Sequence, residues 1–185
     1  MHDVKLQVDK AHTIVFTEVK TTEEFPHDSR THMWLAKGGY FRAETGKTVD
    51  LSNPKTAFTY RSDKKIYQVR DPLPKDVSIA SLVGLDLFQS NLRVIGQPKQ
   101  MVWHKMPAIR VELDGRKQMT KETKLFVFLD PKSHAPIGVS ANLGSVTQVR
   151  IYENLKLNST IDPTKFQFTR PKGWKKVTPT TGGWN

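Results

Sequence analysis

The chain has 185 residues, with 29 Lys plus Arg against 18 Asp plus Glu, a formal charge of +11 with the six His neutral. Hydrophobic residues make up 37% and charged residues 25%. That is enough for one core, which argues against disorder throughout, a membrane bundle or a second domain. The absence of cysteine excludes a disulfide scaffold, a thiolate nucleophile and thiolate-bound zinc or iron–sulfur.

In chain order the sequence opens MHDVKLQVDK, without the basic start and apolar segment of a secretory signal. This leaves two readings, a cytosolic chain or one that begins after a removed leader. Val4, Leu6 and Val8 alternate as in a strand but also suit a helix end. Thr13 to Val19 is rich in β-branched residues and predicts a strand, followed by Thr31 to Lys37, a turn at Lys37-Gly38-Gly39-Tyr40 and a returning strand to Glu44. Thr56 to Tyr60 and Lys65 to Val69 flank a turn at Arg61 to Lys64 and predict a hairpin. Asp76 to Phe88 breaks this pattern, since Ile79, Leu82, Val83 and Leu87 recur at helical spacing with Pro74 before them and Asp76 or Ser78 as cap. Gly84 weakens that helix by up to ~1 kcal/mol. Trp103 and His104 fall in another strand-like stretch. Ile109, Val111 and Leu113 alternate with Arg110, Glu112 and Asp114, a half-buried strand. Lys124 to Leu129 does not alternate, so both its faces are expected to be covered. Ile137 to Ala141 and Thr147 to Leu155 complete the strands. The sum is an α+β, mainly antiparallel β fold of about nine to eleven strands with one or two short helices. It forms a single domain over residues 1–185, with a loose tail at 178–185 in which Trp184 can dock.

Chemistry-bearing motifs are sparse. No Gly-x-Ser-x-Gly elbow occurs, and Gly138 to Asn142 ends in Asn. The Ser-x-x-Lys spacings at Ser52/Lys55 and Ser62/Lys65 fall in turns, where a Lys-rich chain produces them by chance. The histidines His2, His12, His27, His32, His104 and His134 make no close metal-type pair. These observations point to no enzyme, no metal and no cofactor. The cations spread over Arg61/Lys64/Lys65, Arg116/Lys117/Lys121/Lys124 and Arg170/Lys172/Lys175/Lys176 sit beside turn residues and read as solvated charge rather than a polyanion site. Tyr40-Phe41-Arg42 lacks the glycine-rich signature of an RNA-binding sheet, so no nucleic-acid partner is expected. Large apolar side chains on a curved sheet under one helical segment either pack solid or enclose an apolar cavity, and composition does not choose between the two.

Taken in order, these segments resemble the LolA/LolB-like superfamily of outer-membrane lipoprotein carriers. The likeness covers residues 13–177. It runs from Thr13 to Glu18 with its central Phe16, through Tyr40-Phe41-Arg42 and the hairpin Phe58 to Tyr67, to the string Tyr152-x-Asn154…Asn158, Ile161-Asp162, Phe166-x-Phe168 and Pro171-x-Gly173. The C-terminal string is its most specific part. The resemblance implies an incomplete β-barrel of about eleven strands covered by short helices, with an apolar cavity for a lipid or the acyl chain of a lipoprotein. Phe16, Phe41, Phe58, Leu82, Val83 and Phe88 are then the expected cavity residues, and Arg42 the expected contact to the lid. It further implies a periplasmic or extracytoplasmic location, peripheral contact with a membrane and an envelope protein as a second kind of partner. Sensory domains of envelope-stress regulators share the fold, so a sensor or protein-interaction role stands beside lipid carriage.

Overall fold

The computed structural model describes residues 10–22, 29–82, 93–114, 124–142 and 147–178. They contain twelve strands: β1 (Thr13–Thr22), β2 (Ser29–Ala36), β3 (Tyr40–Thr45), β4 (Thr48–Ser52), β5 (Ala57–Arg61), β6 (Ile66–Arg70), β7 (Val94–Trp103), β8 (Met106–Asp114), β9 (Lys124–Leu129), β10 (Pro136–Asn142), β11 (Thr147–Leu157) and β12 (Lys175–Lys176). All belong to one sheet in the order β12-β6-β5-β4-β3-β2-β1-β11-β10-β9-β8-β7. The sheet is unclosed, with β12 and β7 at its edges. β1 lies in the middle, paired with β2 on one side and β11 on the other. Two wings therefore leave β1, one built from β2–β6 and the other from β11 back to β7. Neighbouring strands are antiparallel throughout except for β12, which runs parallel to β6.

Helix is a minor part of the described residues. Among them it comprises Lys10, one turn, α1 (Ile79–Leu82), and a 3-10 turn at Pro163–Phe166. The described fold is accordingly mainly β rather than a barrel shown under several helices. The remainder of the helical prediction, with Val83 and Phe88, lies outside the described residues, as do Val4, Leu6, Val8 and Trp184.

Residues opposite each other on neighbouring strands share a face of the sheet, so the register assigns every side chain to one of two faces. Ile14 and Phe16 of β1 stand opposite Leu35 and Met33 of β2, and Leu35 stands opposite Phe41 of β3. On the other wing Val111 and Leu113 face Val127 and Leu125, and Val127 faces Val139. All of these residues belong to one apolar cluster. Because both wings feed the same cluster, the sheet curls round this inner face. Ile14, Leu35 and Val127 have no exposed surface at all; burying each such side chain is worth about 1.5–3 kcal/mol. Ile79 lies within the cluster, and Leu82 packs against it, which places α1 over the inner face.

The outer face of the β7–β11 wing carries a second cluster of Val19, Trp103, Ala108, Phe128 and Ile151. Trp103 and Phe128 stack with centroids 3.9 Å apart and planes 5° from parallel. The stack needs Gly138, because a Cβ there would stand 2.6 Å from Trp103 Cζ3 and 2.5 Å from the Arg150 carbonyl. This explains why β9 lacks alternation: Val127 faces inward while Phe128 is buried outward.

Candidate functional site

The inner face changes character along the β2–β6 wing. Phe41 and Ala43 of β3 are apolar, but Ala43 stands opposite Asp50, Asp50 opposite Thr59 and Thr59 opposite Gln68. The same face continues through Ser52, Ala57 and Arg70. Strict alternation in three short strands thus turns a polar row inward. Ser52 and Thr59 are each 2% exposed, so each needs a partner. The Thr59 hydroxyl donates to the Asp50 carboxylate, the Ser52 hydroxyl accepts the Leu73 amide at 2.9 Å, and the Gln68 carbonyl accepts from Arg70 at 3.5 Å.

Over this polar row the chain between β6 and α1 passes back across the sheet, and between them lies a cleft of about 280 Å³. Phe41, Leu73 and Leu82 give it an apolar side, while Asp50, Thr59, Arg70 and Asp71 give it a polar side. Its volume sits at the bottom of the ~300–1,000 Å³ range of small-molecule sites. Phe41 and Leu82 also pack against the inner core, so the apolar side is continuous with the core.

The residues expected to line a cavity are distributed unequally. Phe41 and Leu82 meet at the cleft. Phe16 is 3% exposed within the core, its ring edge-on to Tyr152 at 5.5 Å. Phe58 belongs to the cleft wall, but its register partner Leu51 turns it to the outer face, and its ring lies 4.8 Å from Phe168 there. Arg42 also faces outward, opposite Leu51 and away from α1. Its guanidinium pairs with Glu44 at 2.6 Å and donates to the Tyr60 hydroxyl at 3.0 Å and the Lys165 carbonyl at 2.9 Å. The element that Arg42 holds is therefore the C-terminal segment.

That segment straps the outer face of β3–β6. Asn53 donates to the Phe166 carbonyl at 3.1 Å, Tyr40 meets Phe166 at 5.4 Å, and Phe168 contacts Phe58, Tyr60 and Tyr67 at 4.8–5.3 Å. Trp174 closes on Tyr60 at 5.7 Å. Asp162 caps the 3-10 turn, where the Thr164 amide donates to it at 2.9 Å. Bonds from the Thr164 backbone and hydroxyl hold its carboxyl below the ordinary 3.8. Beside this strap a second groove, of about 330 Å³, lies between Val15, Trp34, Lys156 and residues 159–162. Lys165 fills part of its mouth, with Nζ 4.6 Å above the Trp34 ring.

His104 sits with Lys105 in the two-residue β7–β8 turn, both at positive φ (45° and 65°), and its ring meets Trp103 edge-on at 4.7 Å. The polar cleft residues Asp50, Thr59, Arg70 and Asp71 were missed by reasoning from the sequence. Their signal was the alternation of Asp50/Ser52 with Val49/Leu51 and of Gln68/Arg70 with Tyr67/Val69, but an inward-facing apolar row is the ordinary assumption.

No protein-family model matches the sequence, and no curated protein sequence matches it. Solved structures do. The chain is similar to an uncharacterized conserved protein from Thermus thermophilus, at 11% identity over 96% of this chain and 98% of that one, with a TM-score of 0.59. It is similar to LprF from Mycobacterium bovis at 13% identity, over 94% of this chain and 95% of that one, with a TM-score of 0.50. A LolA superfamily protein from Nitrosomonas europaea aligns over 90% of this chain and 97% of its own at 8% identity; its TM-score of 0.39 carries no weight by itself. At such identities the likeness is one of fold. What the Thermus thermophilus protein and LprF share with this chain is the fold of the open antiparallel sheet, over nearly the whole of each chain.

Proposed function

We propose that this chain is a non-enzymatic, extracytoplasmic module that binds the acyl chain of a lipid or lipoprotein, admitted at the cleft between β4–β6 and the segment ending in α1. The observation that carries this reading is the two-sided cleft, apolar at Phe41, Leu73 and Leu82 and polar at Asp50, Thr59, Arg70 and Asp71. Such a lining suits a molecule with a tail and a head group. Its size suits a short segment, so a long chain must run on past Leu82 toward the inner core. Each buried CH₂ contributes about 0.8 kcal/mol, and a C16 chain on the order of 10 kcal/mol before association costs of about 4–15 kcal/mol. Displacing Leu82 from the core is within reach of a C16 chain only toward the low end of that association cost, and out of reach of a short chain. Arg70 stands with Asp50 and Asp71 on the polar side, so the cleft offers a head group both a cation and carboxylates, which suits a zwitterionic head group.

A second reading, a sensor or protein-interaction domain on the same fold, is favoured by the core itself, since Ile14, Leu35 and Val127 are wholly buried. Uptake of a fluorescent C16 fatty acid separates the two. Leu82→Asp and Phe41→Asp should abolish uptake while the far-UV CD of the sheet persists. Uptake as in the wild type by both variants would remove the cleft from the account.

A further inference from the structure

The far edge of the β7–β11 wing plays no part in acyl binding at the cleft. β7 pairs with β8 alone, and no described strand lies on its other side. Residues Val94 to Val102 are all exposed. Val94, Ile95, Met101 and Val102 are four of the six large hydrophobic residues exposed among the described residues, and Val102 is 70% exposed. An open edge carries a row of backbone N–H and C=O groups ready to pair with another chain, and soluble proteins usually guard it with bulges, proline or charge.

The guard on β7 covers only half of it. Gly96 at φ +67° and Pro98 stand in its first half, and the pairing with β8 shifts register between Ile95 and Lys99. From Lys99 onward the strand is regular, pairing without a break from Lys99↔Arg110 to Trp103↔Met106. The free edge of Lys99–Trp103 is straight, apolar at Met101 and Val102, and long enough for a short strand. Its charge is one-sided. Between Arg93 and Lys105 lie Arg93, Lys99 and Lys105 and no carboxylate.

We propose that Lys99–Trp103 is a strand-addition site for an extended, acidic peptide segment of a partner protein. The partner's backbone would pair with the open edge; on one face its apolar side chains would cover Val102, and on the other its carboxylates would lie beside Lys99. Main-chain bonds then give the affinity, and alternate side chains with charge give the selectivity.

The test uses the full chain and a fluorescein-labelled, end-capped eight-residue peptide alternating glutamate with valine. The expected result is saturable binding by anisotropy, weakened by salt, with slowed amide exchange at residues 99–103. N-methylating alternate peptide amides on the bonding edge should weaken binding more than about tenfold, since several main-chain bonds are lost. Replacing its glutamates by lysine should abolish binding, and Lys99→Glu should weaken binding of the acidic peptide about fivefold or more. Equal binding of the N-methylated peptide, protection placed elsewhere, or no saturable binding by the wild type would overturn the proposal. So would sedimentation showing the chain dimerising through β7, because the edge would then be taken by a second copy. Fatty-acid uptake is read separately on the same samples, so failure here leaves the cleft untouched.

Discussion

The outer strands β4–β6 of one wing and the strands β8–β11 of the other differ in what they present to the inner face. In the β8–β11 wing the inner face carries Val111, Leu113, Leu125, Val127 and Val139, all buried in the common core. In β4–β6 the apolar and aromatic residues Leu51, Phe58, Tyr60 and Tyr67 face outward, toward the C-terminal strap. The inner face of β4–β6 carries Asp50, Ser52, Thr59, Gln68 and Arg70, with Ala57 and Ile66 as its apolar members. The cleft lies where this inversion occurs. An apolar inner face in both wings would let the core close over completely. Because residues 159–177 hold the apolar side of β4–β6, the opposite side is polar, buried at Ser52, Thr59 and Gln68 and open at Arg70 and Asp71. A strap on one face thus sets the chemistry of a site on the other.

The largest effect expected from this contrast is in the core. Leu35→Ala removes a fully buried side chain and should cost about 2–5 kcal/mol in urea unfolding. Val69→Ala, on the outer face of β6 and 37% exposed, should stay within about 0.5 kcal/mol. Similar losses at the two sites would break the assignment of faces. Gly138→Ala forces a methyl against the Trp103–Phe128 stack and the Arg150 carbonyl and should cost about 1–3 kcal/mol, with a loss of near-UV CD from Trp103. Arg42→Ala removes the guanidinium that joins Glu44, Tyr60 and Lys165. A loss of about 1.5–3 kcal/mol is expected, with faster amide exchange across residues 165–174 and fatty-acid uptake retained. If uptake falls while exchange in the strap is unchanged, Arg42 acts on the cleft and the separation of faces fails there. The smallest effect belongs to Asp162. Its carboxyl is held below the ordinary 3.8 by bonds from Thr164, so its support of the 3-10 turn is present above that value. It is lost as pH falls through the lower folded-state pKa. Amide exchange at 164–167, corrected for its intrinsic pH dependence, should quicken only as pH falls below 3.8 in the wild type and show no such step in Asp162→Ala.

Much of the sheet was legible because its strands obey simple rules. The alternation in β8 and the turn between β5 and β6 lie where the sequence predicts them. The glycine pair at the β2–β3 turn takes φ of +89° and +83° as such a turn requires. Only the end of β7, at Trp103, was legible, with His104 falling in the turn rather than the strand; Gly96 and Pro98 hid the rest, since they argue against a strand except at an edge, where this one lies. Its turn, His104-Lys105, adopts positive φ without the usual Asn or Gly. β4 is as short as β5 and β6 and was missed although Val49 and Leu51 alternate with Asp50 and Ser52. The inversion in β4–β6 was not legible at all. Phe58 and Tyr60 look like core residues from sequence alone, and only the register with Leu51 and the contacts of Phe168 turn them outward.

Uptake of a hydrophobic chain at the cleft beside Leu82 is best tested by native mass spectrometry of the purified chain. Spectra are taken before and after organic extraction, and again after reloading with a C16 fatty acid or a lysophospholipid. A stoichiometric adduct is expected, which extraction removes, reloading restores and Leu82→Asp prevents. A clean ligand-free mass under every loading condition would mean that the cleft takes no such chain.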